Sequence, residues 1–390
     1  MYKIKWVFFL VIAIFTLLIV GCGEDDSVDT FTPDDEEEIN IDGNNEYVSE
    51  DENKIEEENN LADESNEQDD AKFTKEDFHT LTPDEINEIK PNESGQIMVV
   101  MFHNFVEEFT PSPGYDGEYT TTFDEFEKLL QTLYENDYRL ISMRDFIDGY
   151  ITVSAGKIPI VFTFDDGTSG QFNLIKENGE YVSNPRSAVG IMESFNEKHP
   201  DFGTKGVFYV NLKNPTFEGE GTLEDRLKYL IDGGFEIGNH TKTHINLRSV
   251  QDKEVIEREV GGNQKLMYSI IPDYKFESFS LPFGAPAGNL LNYVVEGEYE
   301  GVRYKNEATM EVGYRPSFSP YSKSLDLESV YRVRSSGINP VEMDLGWWLD
   351  NLSRSEQFIS DGNPYTVTVP ESRLGEIDKE RLEDKELITY

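Results

Sequence analysis

From residue 95 onward, apolar and polar positions alternate in two periods. Short apolar runs stand at Gln96–Phe102, Tyr138–Ile141, Ile158–Phe164, Gly206–Val210, Phe235–Ile237, Phe276–Leu281 and Val330–Val333. Runs of this length, rich in Val, Ile, Phe and Tyr, predict buried strands. Between them the apolar positions fall at helical spacing. Over Thr122–Leu133, Phe126, Leu129, Leu130 and Leu133 share a face, and Thr122 followed by Glu125 is a capping box. Similar patterns predict helices at Met143–Ile147, Ala188–Glu197, Leu223–Ile231 and Gln251–Ile270. Strand-then-helix units repeated in this way predict an α/β fold with a parallel sheet, open or closed into a barrel. Residues 168–204 form a long polar connection broken by the Ala188 helix. After about Pro340 the pattern weakens. Trp347-Trp348 and Tyr365–Val369 predict a packed C-terminal extension over 339–390, and the charged stretch Glu371–Glu386 predicts a surface helix.

The N-terminal part follows neither period. A short basic start, M-Y-K-I-K, precedes an apolar run from Trp6 to Val20 and then Gly21-Cys22. The run is short for a spanning helix, which needs about 20 apolar residues; it has the build of a secretory signal. Its end, Leu18-Ile-Val-Gly-Cys22, resembles the lipobox of bacterial lipoproteins. That resemblance implies a signal peptide over 1–22, lipid on Cys22, and a chain exported and anchored to the cell membrane. Cys22 is the single cysteine of the chain, so no intramolecular disulfide forms.

The 390-residue chain has a net charge of −43, about half of it between Gly23 and Asp70. So acidic a segment with so few apolar residues cannot bury enough surface to order itself. It predicts a disordered tether over 23–94. The charge argues against nucleic acid as a partner.

Candidate chemistry stands at the strand ends. Ile158–Phe164 runs into Asp165-Asp166-Gly167. The run at Phe235 leads into Gly238-Asn-His-Thr-Lys-Thr-His244, so two of the five histidines, His240 and His244, are four apart. If that stretch is helical, both imidazoles share a face and can chelate a metal. Each motif alone has a plain reading: Asp-Gly is turn chemistry, and a His pair is often structural. Together they are sharper, because α/β sheets and barrels place active sites at the C-terminal ends of their strands. One Asp and two His leave an open coordination position, as in catalytic metal sites. The second Asp is then free to act as a base.

Val161-Phe-Thr-Phe-Asp-Asp-Gly167 and His240-Thr-Lys-Thr-His244 resemble the first two motifs of the polysaccharide deacetylase (NodB-homology, carbohydrate esterase) family. Lys205-Gly-Val-Phe-Tyr209 and Gly234-Phe-Glu-Ile-Gly-Asn-His240 resemble two supporting segments. The likeness spans about 95 to 335. It implies a distorted (β/α) barrel of about seven strands, with a deacetylase catalytic domain over 95–338. It also implies hydrolysis of N-acetyl groups on an extracellular or cell-wall polysaccharide, with a divalent metal, zinc foremost. By position, Asp165 is the base, and Asp166, His240 and His244 are the metal ligands. Two departures stand out. Phe279-Ser-Leu-Pro-Phe-Gly284 matches the third motif, but Ser280 stands where that motif carries an arginine orienting the base. No histidine follows 244 to serve as the late general acid. Met98-Val-Val-Met-Phe-His103-Asn104 resembles the early motif of exported deacetylases with circularly permuted motif order. It implies His103 as the acid, and a backbone N–H at Phe283, beside Pro282, at the oxyanion. His79 and His199 read as surface residues. Two other readings stay open: a glycan-binding lipoprotein of the same fold without turnover, and a hydrolase of a small C–N-bonded molecule.

Overall fold

Six of the apolar runs and one segment that the pattern did not predict, Ala308–Met310, become seven strands of one parallel sheet. They are β1 Met98–Phe102, β2 Ile158–Asp165, β3 Val207–Val210, β4 Glu236–Asn239, β5 Ser278–Ser280, β6 Ala308–Met310 and β7 Val333–Arg334. They pair in the order β6-β5-β4-β3-β2-β1-β7, every neighbour parallel. The computed structural model from which this is read describes residues 74–115, 117–284 and 288–390. The signal sequence, Cys22 and the acidic run as far as residue 73 lie outside the described residues.

The two free edges of this sheet meet. Met310 bridges Val330 in parallel, and Val330 exchanges backbone hydrogen bonds of 2.9 Å with Thr309 and Glu311. The segment Val330–Arg334 therefore pairs with β6 at its start and with β1 at its end, closing the ring. A further strand, Tyr138–Leu140, pairs with the first half of β2.

Side chains alternate across each strand. Phe162 and Phe164 of β2 face outward into the core beneath the helices, with Phe102, Phe126 and Phe208. Their rings stack or meet edge to face at 4.6 to 5.4 Å. Burial of each such ring stabilises the fold by roughly 1.5–3 kcal/mol. Val161 faces inward with Val99, Val207 and Tyr209. By the same alternation Thr163 and Asp165 also face inward, and both are buried. The outer layer is built from α1 Phe123–Glu135, α2 Ala188–Lys198, α3 Leu223–Asp232 and α4 Lys253–Ile270. The capping box of α1 is formed as predicted: Glu125 N–H donates to Thr122 Oγ1, and the Glu125 carboxylate accepts from the Thr122 N–H.

Three expectations change. Order begins before residue 94: Pro83–Ile89 is helical, and Asn92, Glu93 and Ser94 are buried. The sequence there is polar, but its polar groups are paired. The Glu93 carboxylate accepts from the N–H groups of Thr368 and Asp361. Second, the surface helix over 371–386 is absent. Two 3₁₀ turns, Glu371–Glu376 and Glu380–Leu382, lead into a strand, Glu386–Thr389, parallel to Thr366–Val369. Helical charge spacing there is broken by Gly375, and Val367, Val369 and Ile377 pack against the barrel's inner core instead. Third, the connection 168–204 holds an antiparallel hairpin, Leu174–Glu177 with Glu180–Ser183. Its Asn178-Gly179 tip has both φ angles positive, 51° and 94°, the chemistry of a tight hairpin turn. That dipeptide was a legible signal.

Candidate active site

Asp165 is the last residue of β2 and keeps the strand's inward orientation. Its Oδ1 and Oδ2 accept from Arg332 Nη1 and Nη2, both at 2.8 Å. Ser280 Oγ of β5 donates to Oδ2 at 3.0 Å and accepts from Arg332 Nη2 at 2.9 Å. Arg332 also donates through Nε to the Glu311 carbonyl and through Nη1 to Thr163 Oγ1. It is wholly buried. Burial works against a charge on Asp165, yet the Arg332 guanidinium, with His240 and His103 beyond it, holds the carboxyl far below the ordinary range. The sequence expectation that Ser280 leaves the base without its arginine is thus corrected. The guanidinium arrives from the closing segment of the ring, and Ser280 is small enough to let it in while joining the same hydrogen-bond set.

Asp166 departs from the strand. Its φ is 81° and that of Gly167 is 66°, so the chain turns and the second carboxylate swings to the rim. Its Oδ1 lies 3.5 Å from His240 Nε2 and 3.3 Å from His244 Nε2. The two histidines do not share a helix face. Residues 240–244 form a turn in which Thr241 and His244 have φ of 63° and 62°. His244 N–H donates to Thr241 Oγ1 at 2.9 Å. Asn211 Nδ2 donates to the carbonyls of His240 and Thr241, Asn239 Oδ1 accepts from Thr241 N–H, and Glu259 takes the N–H and hydroxyl of Thr243. Buried amides, not helical hydrogen bonds, bring the imidazoles together.

His103 follows β1 and faces the same cavity, of about 330 Å³. Its Nε2 lies 3.9 Å from Asp165 Oδ2, and its ring packs on Tyr119 with centroids 4.8 Å apart. Burial pushes its pKa down, although the charges on Asp165 and Asp166 act in the opposite sense. Phe283 stands at the cavity mouth with φ of 60°, 63% exposed, its ring 4.8 Å from that of His244. Pro282, expected at the substrate, is buried behind it, and Leu281 lines the cavity in its place. His79 is exposed and pairs with Glu85 at 2.9 Å. His199 is half-buried, between the rings of Tyr134 and Phe195, so both stand apart from this site.

The donor set fits a divalent metal. A tetrahedral zinc ion with bonds of about 2.0–2.1 Å spaces its ligand atoms by about 3.3–3.4 Å, close to the separations from Asp166. All three ligand atoms lie within 4.8 Å of one another. His240 Nδ1 carries the proton, because it donates to the Ser280 carbonyl at 2.7 Å. Nε2 is therefore left facing Asp166, the arrangement that orients a ligating imidazole. Burial disfavours charge on His240, but Asp165 and Asp166 outweigh it and hold its pKa above the ordinary value. The cluster draws positive charge.

The ring of parallel strands and this carboxylate–imidazole rim are those of a barrel hydrolase. Residues 152–302 match the polysaccharide deacetylase family; they span β2 to β5 and include Asp165, Asp166, His240 and His244. Residues 152–302 therefore carry a polysaccharide deacetylase domain. None of the curated proteins matches the sequence of this chain. Among solved structures it is similar to BC0361, a polysaccharide deacetylase from Bacillus cereus, at 18% identity over 66% of this chain and 69% of that one, with a TM-score of 0.48. It is also similar to the Streptococcus pyogenes deacetylase PplD in complex with acetate, at 14% identity over 66% and 98%, with a TM-score of 0.48. IcaB from Ammonifex degensii aligns at 16% identity over 62% and 92%, with a TM-score of 0.42.

Proposed function

We propose that this protein is a metal-dependent deacetylase that removes N-acetyl groups from an extracellular or cell-wall polysaccharide built on N-acetylglucosamine. The observation that carries the reading is the division of two adjacent carboxylates. One is held ionised inside the barrel by Arg332, and the other is turned outward to two imidazoles. A glycan-binding protein without turnover has no use for a base so arranged.

Asp166, His240 and His244 would hold the metal, which when bound polarises the acetyl carbonyl and lowers the pKa of water. Asp165 accepts the proton of the attacking water. Arg332 and Ser280 fix both of its oxygens, so it stays ionised and cannot swing to the metal position. His103 Nε2 stands 3.9 Å from Asp165 Oδ2, and protonated His103 donates to the departing sugar amine. Tyr119 holds the His103 ring from the side. Phe283, exposed beside His244, offers an apolar face on which a sugar ring can rest. We also read the chain as exported and lipid-anchored through Cys22. Among the described residues no helix is long and apolar enough to cross a membrane.

The test is acetate release from chitin oligomers, poly-N-acetylglucosamine and peptidoglycan, with added Zn²⁺ and with EDTA. Asp165→Asn should keep its metal and lose about 10²–10⁴-fold in kcat, the usual scale for a removed base. Undiminished acetate release by that variant would sink the assignment of the base.

A further inference from the structure

Gln171 lies five residues beyond Asp166, in the connection that no part of the proposed reaction uses. Its side chain is wholly buried. Its Nε2 donates to the carbonyl oxygen of His103 at 2.7 Å and to that of Asp165 at 2.5 Å. A primary amide has two N–H bonds, and here one goes to each carbonyl. Both oxygens belong to residues at the C-terminal ends of strands, where the chains part for their loops. Gln171 Oε1 is buried without a partner, so the amide is not held there by its own acceptor. The price of that burial is accepted for the two donations alone.

The backbone around Gln171 is built for close approach. A Cβ on Gly170 would lie 2.1 Å from the Phe105 carbonyl oxygen, so a side chain there would push the loop off the β1 end. The N–H groups of Ala188 and Val189, at the start of α2, donate to the carbonyls of Gly170 and Gln171. Thr168 Oγ1 adds a longer contact, 3.5 Å, to the His103 carbonyl.

We propose that Gln171 is a positioning residue that clips the backbone of His103 to that of Asp165, and so sets the distance between proton donor and base. It touches neither the cavity nor the ligand trio, and acts through the two residues it ties. This rests on the reading of His103 and Asp165 given above. It also assigns a role to the connection 168–204: the segment carries the clip.

The consequence is specific to the leaving group. An amide needs its nitrogen protonated as it departs, whereas an activated phenyl ester does not. Gln171→Leu keeps the size of the side chain and removes both donors. In that variant kcat for N-acetyl release from a chitin oligomer should fall about 100-fold, the scale of an ångström-level misplacement. Hydrolysis of 4-nitrophenyl acetate should fall less than tenfold. KM and the rise in melting temperature on adding Zn²⁺ should stay near wild type. Gly170→Ala should reproduce the same imbalance through the loop. Equal losses on both substrates, or unchanged kcat in a folded variant, overturn the role of Gln171 while the deacetylase reading stands. A wild-type protein that releases no acetate from any of the glycans overturns that reading, and this proposal with it.

Discussion

At the scale of single residues, the arrangement turns on Arg332. Its guanidinium is the bidentate partner of Asp165, with both atoms buried. Removing one member of such a pair leaves an uncompensated charge, at a typical cost of about 3–5 kcal/mol. Arg332→Met should therefore lower the melting temperature and reduce kcat by at least about tenfold. Asp165 would no longer be held ionised and aimed. Combining it with Asp165→Asn should recover part of the lost stability but none of the activity; thermal melts and acetate release on the two single variants and the double variant check this. Most of the other site residues were legible. Asp165, Asp166, His240 and His244 sit in local motifs, and His103 ends an apolar run. Arg332 was not, because nothing local ties it to a carboxylate 167 residues away. The available signal was an arginine inside the strand pattern Val330-Tyr-Arg-Val333, where a charge has no place without a buried partner.

At the scale of elements, buried carboxyls fasten segments that are distant in sequence. Glu93 ties the entry segment to the C-terminal extension through the N–H groups of Asp361 and Thr368. Burial, then the charge on Asp361, raises its pKa well above the ordinary value, against those hydrogen bonds. Glu236 of β4 accepts from the N–H groups of Met143 and Arg144, and burial pushes it up to about 7. In both cases the folded state holds a proton that the unfolded chain releases near 4.5. Their contribution is thus fully present below that pH and is lost as pH rises through the folded-state values. Asp165 has the opposite sign: its contribution is present above 3.8 and lost in stronger acid. The Glu236 contribution should therefore be lost between about pH 4.5 and about pH 7, so thermal stability should decline over that range, and the decline should be shallower in Glu93→Gln. A flat profile in the wild type would contradict this. Elements with a clear period were legible, including α1 with its cap and β2. The strand at Glu386 and the order at 92–94 were not. Their stability comes from pairing with segments hundreds of residues away, and their own composition is that of a surface.

At the scale of the whole molecule, the expected outcomes concern anchoring and metal. Cys22→Ala should release the protein from the cell surface into the medium, as measured by fractionation; retention at the membrane would argue for an uncleaved anchor. Zn²⁺ at about a hundred times its Kd should stabilise the fold by about 2.7 kcal/mol, seen as a rise in melting temperature that Asp166→Ala abolishes. The tether predicted from the acidic N-terminal run suits a substrate larger than the protein itself. The likeness to the family was legible in two short motifs, both inside the matched residues 152–302. The barrel was implied by the family resemblance, but the residues that close it were not, because closure rests on the bridge between Met310 and Val330, and Ala308–Met310 carries no clear strand signal.

That closure gives the chain an order of events. A polypeptide emerges from synthesis with its N-terminus first, and by residue 244 it has delivered the proposed ligand trio, base and proton donor. The guanidinium that arms the base comes almost ninety residues later, on the piece that seals the barrel. A nascent, stalled or clipped chain that stops short of it would own every proposed reacting group but lack the partner that holds the base ionised and aimed. Under the proposed reaction, proton abstraction then begins only with finished molecules, and the protein carries its safety catch in the segment that closes the ring.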